Sequence, residues 1–542
     1  MSPAPLLPSQ PLLAQPLLAV SDLDIRLPRG ADRQLAVTGV SFELREGEIL
    51  CVVGESGSGK SVLSSAIMGA VAKGLAIERG RVLFRGDDIV TMPESERRRL
   101  RGNRIAMVFQ EPMAALNPAI KVGAQVEEVL LLHARSSPGE RRAKALSLLA
   151  STHLPDPARI HDSYPHQLSG GQCQRVVIAM ALAMNPAVLI ADEPTSALDV
   201  TTQAQVLRLF RELKDVHRHG VLFITHDFGV VAEVADRVAV MQAGRMVEIG
   251  ETRQVLDDPR HPYTRQLIAA VPRAAAKPVL ASVEGPPAIE LTHLSKIYQM
   301  GERRVVALSD VSLSLAKGHT LGIVGESGSG KSTLAKLAVR LVAATSGAIR
   351  IGDVDFGSLA GGALKAARRK IQMIFQDPYG SLNPRHRVGP IIARAATLGG
   401  LKSAEARERA KQLLSLVGLA PEAYDRKPEQ FSGGQRQRIG IARALAMNPE
   451  VVLADECVSA LDVSVQKQVL KLIADLQSQL GITLLFITHD LRVAAQVSDF
   501  IAVMRKGELV EFGPATEVLV TPRHAYTQEL LGAAPGRAWL PK

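Results

Sequence analysis

The chain has 542 residues, 46% hydrophobic and 22% charged, with 64 basic side chains against 54 acidic ones and a net charge of +10. That length predicts two or more domains, and so mild a basic excess reads as a solvated surface rather than as a nucleic-acid footprint. Three widely spaced cysteines argue against a disulfide framework or a cysteine-ligated metal and for a reducing compartment, and no run of about 20 apolar residues is present to cross a bilayer as a helix.

The first 20 residues, MSPAPLLPSQPLLAQPLLAV, are Leu-rich but interrupted by Pro and lack a basic start. They are read as a flexible leader and not as a signal peptide. ILCVVG at 49–54 has the continuous apolar character of a strand covered on both faces, and VLSSAIMGA after position 61 has that of a helix. Between them stands GESGSGKS, residues 54–61. A strand, a glycine-rich loop and a helix in that order form a phosphate-binding loop. Gly54, Gly57 and Gly59 let the backbone curl, and Glu55, Ser56 and Ser58 complete the turn, so that N–H groups point inward at phosphate oxygens. Lys60 is placed to reach the terminal phosphates, and the Ser61 hydroxyl suits Mg²⁺.

Further along, AVLIADEP at 187–194 is an apolar strand that ends in Asp192 and Glu193. Packing does not call for two carboxylates there. Asp192 is expected in a Mg²⁺ shell, and Glu193, one residue on, where a carboxylate polarises an attacking water. The stretch 203–217 is helical in pattern, and GVLFITHD at 220–227 is a third buried strand. Strands alternating with helices predict an α/β sheet with crossover helices.

The series then begins again. GESGSGKS recurs at 325–332, so that Gly325, Glu326, Ser327, Gly328, Ser329, Gly330, Lys331 and Ser332 repeat the first loop, followed by Thr333. VVLADE at 451–456 repeats the acidic strand with Asp455 and Glu456. Lys60 and Lys331 lie 271 residues apart, while Asp192 and Asp455 lie 263 apart. Such a period marks a tandem duplication and not a solenoid. The Pro-rich, aperiodic AAAKPVLASVEGPP at 274–287 reads as the linker, giving domains at 1–273 and 288–542.

LSGGQ at 168–172 and FSGGQ at 431–435 complete the set, and with them each half resembles the nucleotide-binding domain of the ABC ATPases. The resemblance spans nearly the whole chain and implies an α/β fold: two tandem P-loop domains, each with a mixed-sheet core, an antiparallel β subdomain and a helical subdomain. It implies ATP and Mg²⁺ as ligands. Gln110 and Gln376 match the family's Mg²⁺-binding glutamine, which also senses the membrane partner, and His226 and His489 match its γ-phosphate histidine. Ser169, Gly170, Gly171 and Gln172, and likewise Ser432, Gly433, Gly434 and Gln435, match the signature that closes on ATP held by the other domain's loop. The implied sites are crossed, and fusing the two domains raises the effective concentration of each for the other.

EPMAALNP (111–118) and DPYGSLNP (377–384) follow the two glutamines, and HPYTRQLIAAVP (261–272) and HAYTQELLGAAP (524–535) end the two halves. These stretches resemble the oligopeptide and dipeptide importer branch, in fused form. That branch implies two different permease subunits, an extracytoplasmic solute-binding protein and a peripheral place on the cytoplasmic face of a bacterial inner membrane. Met113, Ala114, Ala115 and Leu116 in one half, and Tyr379, Gly380, Ser381 and Leu382 in the other, are expected to line the permease grooves. No iron–sulfur cluster and no nucleic-acid partner are expected. The alternative is a soluble tandem ABC ATPase acting on ribosomes or nucleic acid, but the linker here is short and nearly uncharged, and the cysteine-rich zinc modules of the excision-repair ABC ATPase are absent from the sequence.

Two departures between the halves carry expectations. Tyr298 stands where the family stacks an aromatic ring on adenine, and Leu27 holds the corresponding place in the first half. DEPTSALD becomes DECVSALD, so that Cys457 and Val458 could displace Glu456. Because Leu offers no π face, the Lys331 site should bind nucleotide more tightly than the Lys60 site. Nucleotide affinity measured separately in Lys60→Ala and Lys331→Ala chains checks this, and equal affinities contradict it.

Overall fold

The computed structural model describes residues 15–537 and 539, apart from 32, 197, 273–285, 302 and 460. The expected leader, up to residue 14, and the expected linker, except for its last two residues, lie outside the described residues. The chain divides into two compact units, the main change falling between Ile268 and Ala269.

In the first unit a six-stranded sheet runs in the order Arg245–Glu251, Arg237–Gln242, Ile49–Val53, Gly220–Thr225, Val188–Asp192, Ile105–Val108. Only the edge pair, 245–251 against 237–242, is antiparallel. Ile49–Val53, Val188–Asp192 and Gly220–Thr225 are buried at every position. That is the reason for their unbroken apolar sequences, since a parallel strand packed on both faces has no polar side to show. A second, antiparallel sheet of four strands comprises Leu35–Leu44, Leu18–Arg26, Ala76–Phe84 and Asp87–Asp88. The helices Val122–His133, Pro138–Ser151, Pro157–His161 and Gly170–Ala181 pack on one another as a helical subdomain.

The helix Lys60–Ile67 occupies the space between the two sheets. One buried cluster joins Leu23 and Val37 of the small sheet, Leu63 and Ile67 of the helix, and Val52 and Ile190 of the large sheet. Burial of each such side chain stabilises by about 1.5–3 kcal/mol, so the start of this helix is fixed from both sides.

The second unit repeats the plan. Its large sheet runs Ile371–Ile374, Val451–Asp455, Thr483–Ile487, Thr320–Val324, Phe500–Arg505, Glu508–Pro514, and its small sheet Arg303–Leu315, Ile289–Met300, Ser346–Ile351, Val354–Asp355. Helix Lys331–Ala338 lies between them, with Leu334 and Leu337 in a cluster with Leu294, Ile323 and Leu453. Both units are thus the α/β, mixed-sheet architecture with an antiparallel β subdomain and helical subdomain that the sequence implied. Cys51, Cys173 and Cys457 are all free thiols and buried. Among the described residues no helix is long and apolar enough to cross a membrane.

One expectation is corrected. Leu116 and Leu382 do not line a groove, since each is only 2% exposed. Leu382 packs into the cluster of Val388, Ile392 and Leu413. The exposed members of those runs are Met113, Ala114 and Ala115 in the first unit and Tyr379 and Gly380 in the second. Apolar character alone could not separate the buried residue of each run from its exposed neighbours. Leu116→Ala and Leu382→Ala should each destabilise its unit by about 2–5 kcal/mol, read as a lowered denaturation midpoint.

Candidate functional sites

The geometry of the two glycine-rich loops begins with backbone that side chains reject. Gly54, Gly57 and Gly59 have φ of +156°, +77° and +105°, and Gly325, Gly328 and Gly330 follow at +152°, +81° and +104°. A Cβ at Gly54 would lie 2.2 Å from the Met241 carbonyl oxygen, and one at Gly325 2.2 Å from that of Met504. The helices start at Lys60 and Lys331 with no side-chain cap on Gly59 or Gly330. Their first-turn amides are therefore not occupied by a cap, which is the arrangement that receives an anion.

The lysines close the loops. Lys60 is 6% exposed, and its Nζ donates to the Gly54 carbonyl at 2.7 Å, the Glu55 carbonyl at 2.9 Å and the Ser58 hydroxyl at 3.4 Å. Lys331 repeats this at 2.7, 2.8 and 3.4 Å. Burial pulls the Lys331 ammonium below its usual range, against the opposing attraction of Glu456 and Asp455.

The acidic strands end at these loops. Asp192 and Asp455 are each 7% exposed. Burial pushes both carboxyls up, Asp455 to about 6, with the neighbouring glutamate charge adding to the effect. A hydrogen bond from the Ser61 hydroxyl works against the shift at Asp192. Asp455 Oδ1 is buried with no hydrogen-bond partner. An orphaned carboxylate oxygen in one unit and a serine–aspartate contact in the other supply the hard oxygen donors that Mg²⁺ prefers.

Glu193 and Glu456 adopt left-handed backbone at φ +46° and +44°. For a non-glycine residue that costs about 1–3 kcal/mol. Each is held there by its N–H, which donates to the Ile224 or Ile487 carbonyl at 2.9 Å. The turn aims each carboxylate at two groups from other elements. Gln110 Nε2 donates to Glu193 at 3.0 Å, and His226 Nδ1 lies 3.3 Å away. In the second unit Gln376 lies 2.9 Å and His489 3.5 Å from Glu456. Burial opposes the charge on both glutamates, but the histidine hydrogen bond and the nearby histidine and lysine charges outweigh it, and both titrate below the usual carboxylate range. Burial likewise opposes the charge on His489, and Glu456 overcomes it, raising the imidazole above its usual value. The matching φ angles and N–H contacts show that Cys457 and Val458 do not displace Glu456, contrary to the expectation from DECVSALD. Within each unit, then, loop lysine, aspartate, glutamate, glutamine and histidine form one cluster.

Ser169–Gln172 and Ser432–Gln435 stand outside that hydrogen-bonded cluster, each at a helix start. Ser169 Oγ accepts from Gln172 N–H at 3.3 Å while Gln172 Oε1 accepts from Ser169 N–H at 3.0 Å. Ser432 and Gln435 do the same at 3.4 and 3.0 Å. This capping box preorganises the turn, with Ser169, Gly170 and Ser432 exposed. Sheet register gives Leu27 and Tyr298 corresponding places: Leu23 pairs with Val40 and Ile25 with Val37, as Leu294 pairs with Val311 and Lys296 with Leu308. The Lys296 ammonium lies 5.0 Å from the centre of the Tyr298 ring.

Sequence reading missed two sets of contacts. Arg33, in the turn between the first two strands, donates to the Gly57 carbonyl. Tyr263 and Tyr526, in the two C-terminal motifs, touch the glycine-rich loops of their own units, where Glu55 N–H donates to Tyr263 Oη at 3.3 Å and Glu326 N–H to Tyr526 Oη at 3.2 Å. The repeated His-x-Tyr-Thr was the available signal, but spacing of about 200 residues hid the partner.

Residues 37–196 and 308–459 match the ABC transporter family, and residues 247–296 and 510–538 match the oligopeptide/dipeptide transporter C-terminal region. The chain is 45% identical to the glutathione import ATP-binding protein GsiA of Salmonella choleraesuis (strain SC-B67), over 97% of this chain and 91% of that protein. It is 44% identical to the protein of that name in Escherichia coli (strain K12), with the same coverage. Among solved structures, a dimeric post-hydrolysis state of the ATP-binding cassette MJ0796 bound to ADP and Pi is 33% identical and covers 42% of this chain and 98% of its own, with a TM-score of 0.39.

The close approach at Gly54 and Gly325 makes a specific outcome testable. Gly54→Ala with Gly325→Ala should weaken ATP binding by about tenfold or more, since each added Cβ forces the loop off its carbonyl contact. Equilibrium nucleotide titration checks this, with circular dichroism to confirm that the fold persists.

Proposed function

The chain belongs to the ABC transporter family and is an ATPase of that family, and from that premise we propose that it energises uptake of glutathione or a related peptide-like solute through separate membrane subunits. The observation that carries this reading is likeness along 97% of the chain to proteins named for glutathione import, with a peptide-transporter tail closing each half. A role on ribosomes or nucleic acid finds no support in either.

In this reading the domains are 1–273 and 288–542, joined by 274–287. Gly54–Ser61, and Gly325–Ser332 with Thr333, cradle ATP phosphates through backbone N–H groups and the lysine ammonium. Ser61, Gln110 and Asp192, and in the second unit Ser332, Gln376 and Asp455, would hold Mg²⁺, which when bound neutralises phosphate charge. Glu193 and Glu456 orient the attacking water and accept its proton. Burial does not lift them above the usual carboxylate range, because the histidine and lysine contacts outweigh it, so both are unprotonated at neutral pH, as a base must be. His226 and His489 lie against those carboxylates and reach the terminal phosphate. Ser169–Gln172 and Ser432–Gln435 offer hydroxyls and helix-start amides to a γ-phosphate, and Tyr298 stacks on adenine.

The partners are two different permeases and an extracytoplasmic solute-binding protein, with this chain peripheral on the cytoplasmic face of the inner membrane. The exposed docking residues support two non-identical permeases, since Met113 and Ala114 in one unit stand where Tyr379 and Gly380 stand in the other.

The test is transport in vesicles that hold the chain, its permeases and the binding protein. ATP inside should drive accumulation of labelled glutathione or a dipeptide. Glu193→Gln with Glu456→Gln should slow hydrolysis by about 10²–10⁴-fold, the usual worth of a general base, and stop accumulation. Near-normal hydrolysis in the double variant removes the assigned base, and ATP-independent accumulation removes the coupling.

A further inference from the structure

The C-terminal motifs of the two units make the same set of contacts, and these end on the nucleotide loops. Each motif is first anchored by a glutamate on the last strand of the large sheet. Glu248 accepts from the N–H groups of Arg260 and His261 at 2.8 and 3.0 Å, and Glu511 from those of Arg523 and His524 at 2.8 and 3.2 Å. The histidine then orients the tyrosine. His261 Nδ1 accepts from Tyr263 N–H at 3.2 Å, and His524 Nδ1 from Tyr526 N–H at 3.1 Å. Helices Pro262–Ala270 and Ala525–Ala533 follow. The tyrosine rings are 6% and 2% exposed, and the guanidinium of Arg505 lies 4.6 Å from the centre of the Tyr526 ring.

The atom each phenol reaches is specific. Glu55 N–H and Gly54 C=O belong to one peptide group. Tyr263 Oη takes the N–H, and Lys60 Nζ takes the C=O at 2.7 Å. In the second unit Tyr526 and Lys331 hold the Gly325–Glu326 peptide in the same way. This is the peptide at which the chain leaves the strand and enters the loop, and its glycine tolerates no Cβ. A lysine that turns toward a phosphate gives up its hold on that carbonyl. The tyrosine hydroxyl then remains as a side-chain tie on the peptide plane. Packing alone does not require that hydroxyl, because phenylalanine fills the same volume, and burying a phenol is favourable only if its oxygen finds a partner.

We propose that Tyr263 and Tyr526 are positioning residues for ATP binding: each tail fixes the entry peptide of its unit's nucleotide loop through the phenol oxygen. This rests on the reading that residues 54–61 and 325–332 bind ATP.

The test uses the full-length chain carrying Tyr263→Phe and Tyr526→Phe together. Loss of one net hydrogen bond per site should raise the ATP Kd, and the KM for hydrolysis, by about fivefold. It should leave kcat within about twofold and thermal stability near that of the parent, a split between KM and kcat that a merely structural role does not produce. Leu267→Ala with Leu530→Ala serves as the control, because both leucines are buried in the tail helices. If that pair raises the ATP Kd as much as the tyrosine pair, or if the tyrosine pair leaves Kd and KM unchanged, the proposal is overturned. Lys60→Ala with Lys331→Ala separates the two levels. Loss of ATP binding there alongside unchanged tyrosine variants overturns only the positioning role, whereas retained binding removes the loop assignment beneath it.

Discussion

A buried ammonium needs partners, and that need shapes both halves of this protein. Lys60 and Lys331 are almost entirely enclosed, and an unpaired charge in such a place is too costly to persist. Two backbone carbonyls and a serine hydroxyl from the lysine's own loop meet it. Those carbonyls point inward only because the glycines take backbone angles closed to other residues. The loop stays curled only because the strand before it and the helix after it are clamped in the core between two sheets. Sheet, helix, glycine and lysine form one mechanical statement, made once in each unit.

Duplication lets each unit serve as a control on the other. Where the two agree, as in the left-handed glutamates and their glutamine and histidine neighbours, the agreement survives substitution of the adjoining residues. Cys457 replaces proline beside Glu456 without moving it because the position is set by the N–H contact to the neighbouring strand, not by the residue that follows. Where they differ, as in Asp192 with its serine and Asp455 with an orphaned oxygen, the same residue type sits in different electrostatic surroundings.

Much of this was legible in the sequence because the constraints are local. Continuous apolar runs give doubly covered strands, and glycine spacing gives the loop. Two carboxylates closing an apolar strand have no packing explanation, so they reveal a site. What stayed hidden was set by distance in the chain. Leu116 and Leu382 sit in runs as apolar as their exposed neighbours, and only the packed helices decide which side chain turns inward. Tyr263 and Tyr526 stand in tails whose sequence points only to the importer branch, since nothing near them names a loop roughly 200 residues away. Arg33 was one arginine among many until the turn that carries it came to lie over Gly57.

The hydrogen bonds from Gln110 to Glu193 and from Gln376 to Glu456 have a thermodynamic consequence. The glutamines are exposed and lie a few residues before Met113 and Tyr379, while the glutamates lie at the ends of buried strands. A bond of this kind to a charged group is worth about 1.5–3 kcal/mol. Whatever breaks it, from the surface or from within the site, works against the same free energy. Reciprocity then requires that a molecule leaning on the exposed segment and a nucleotide engaging the glutamate change each other's affinity by one common factor. That bond sets the ceiling on its share of the factor, about ten- to a hundredfold, so a short side-chain contact limits how strongly the outside of each unit informs its interior.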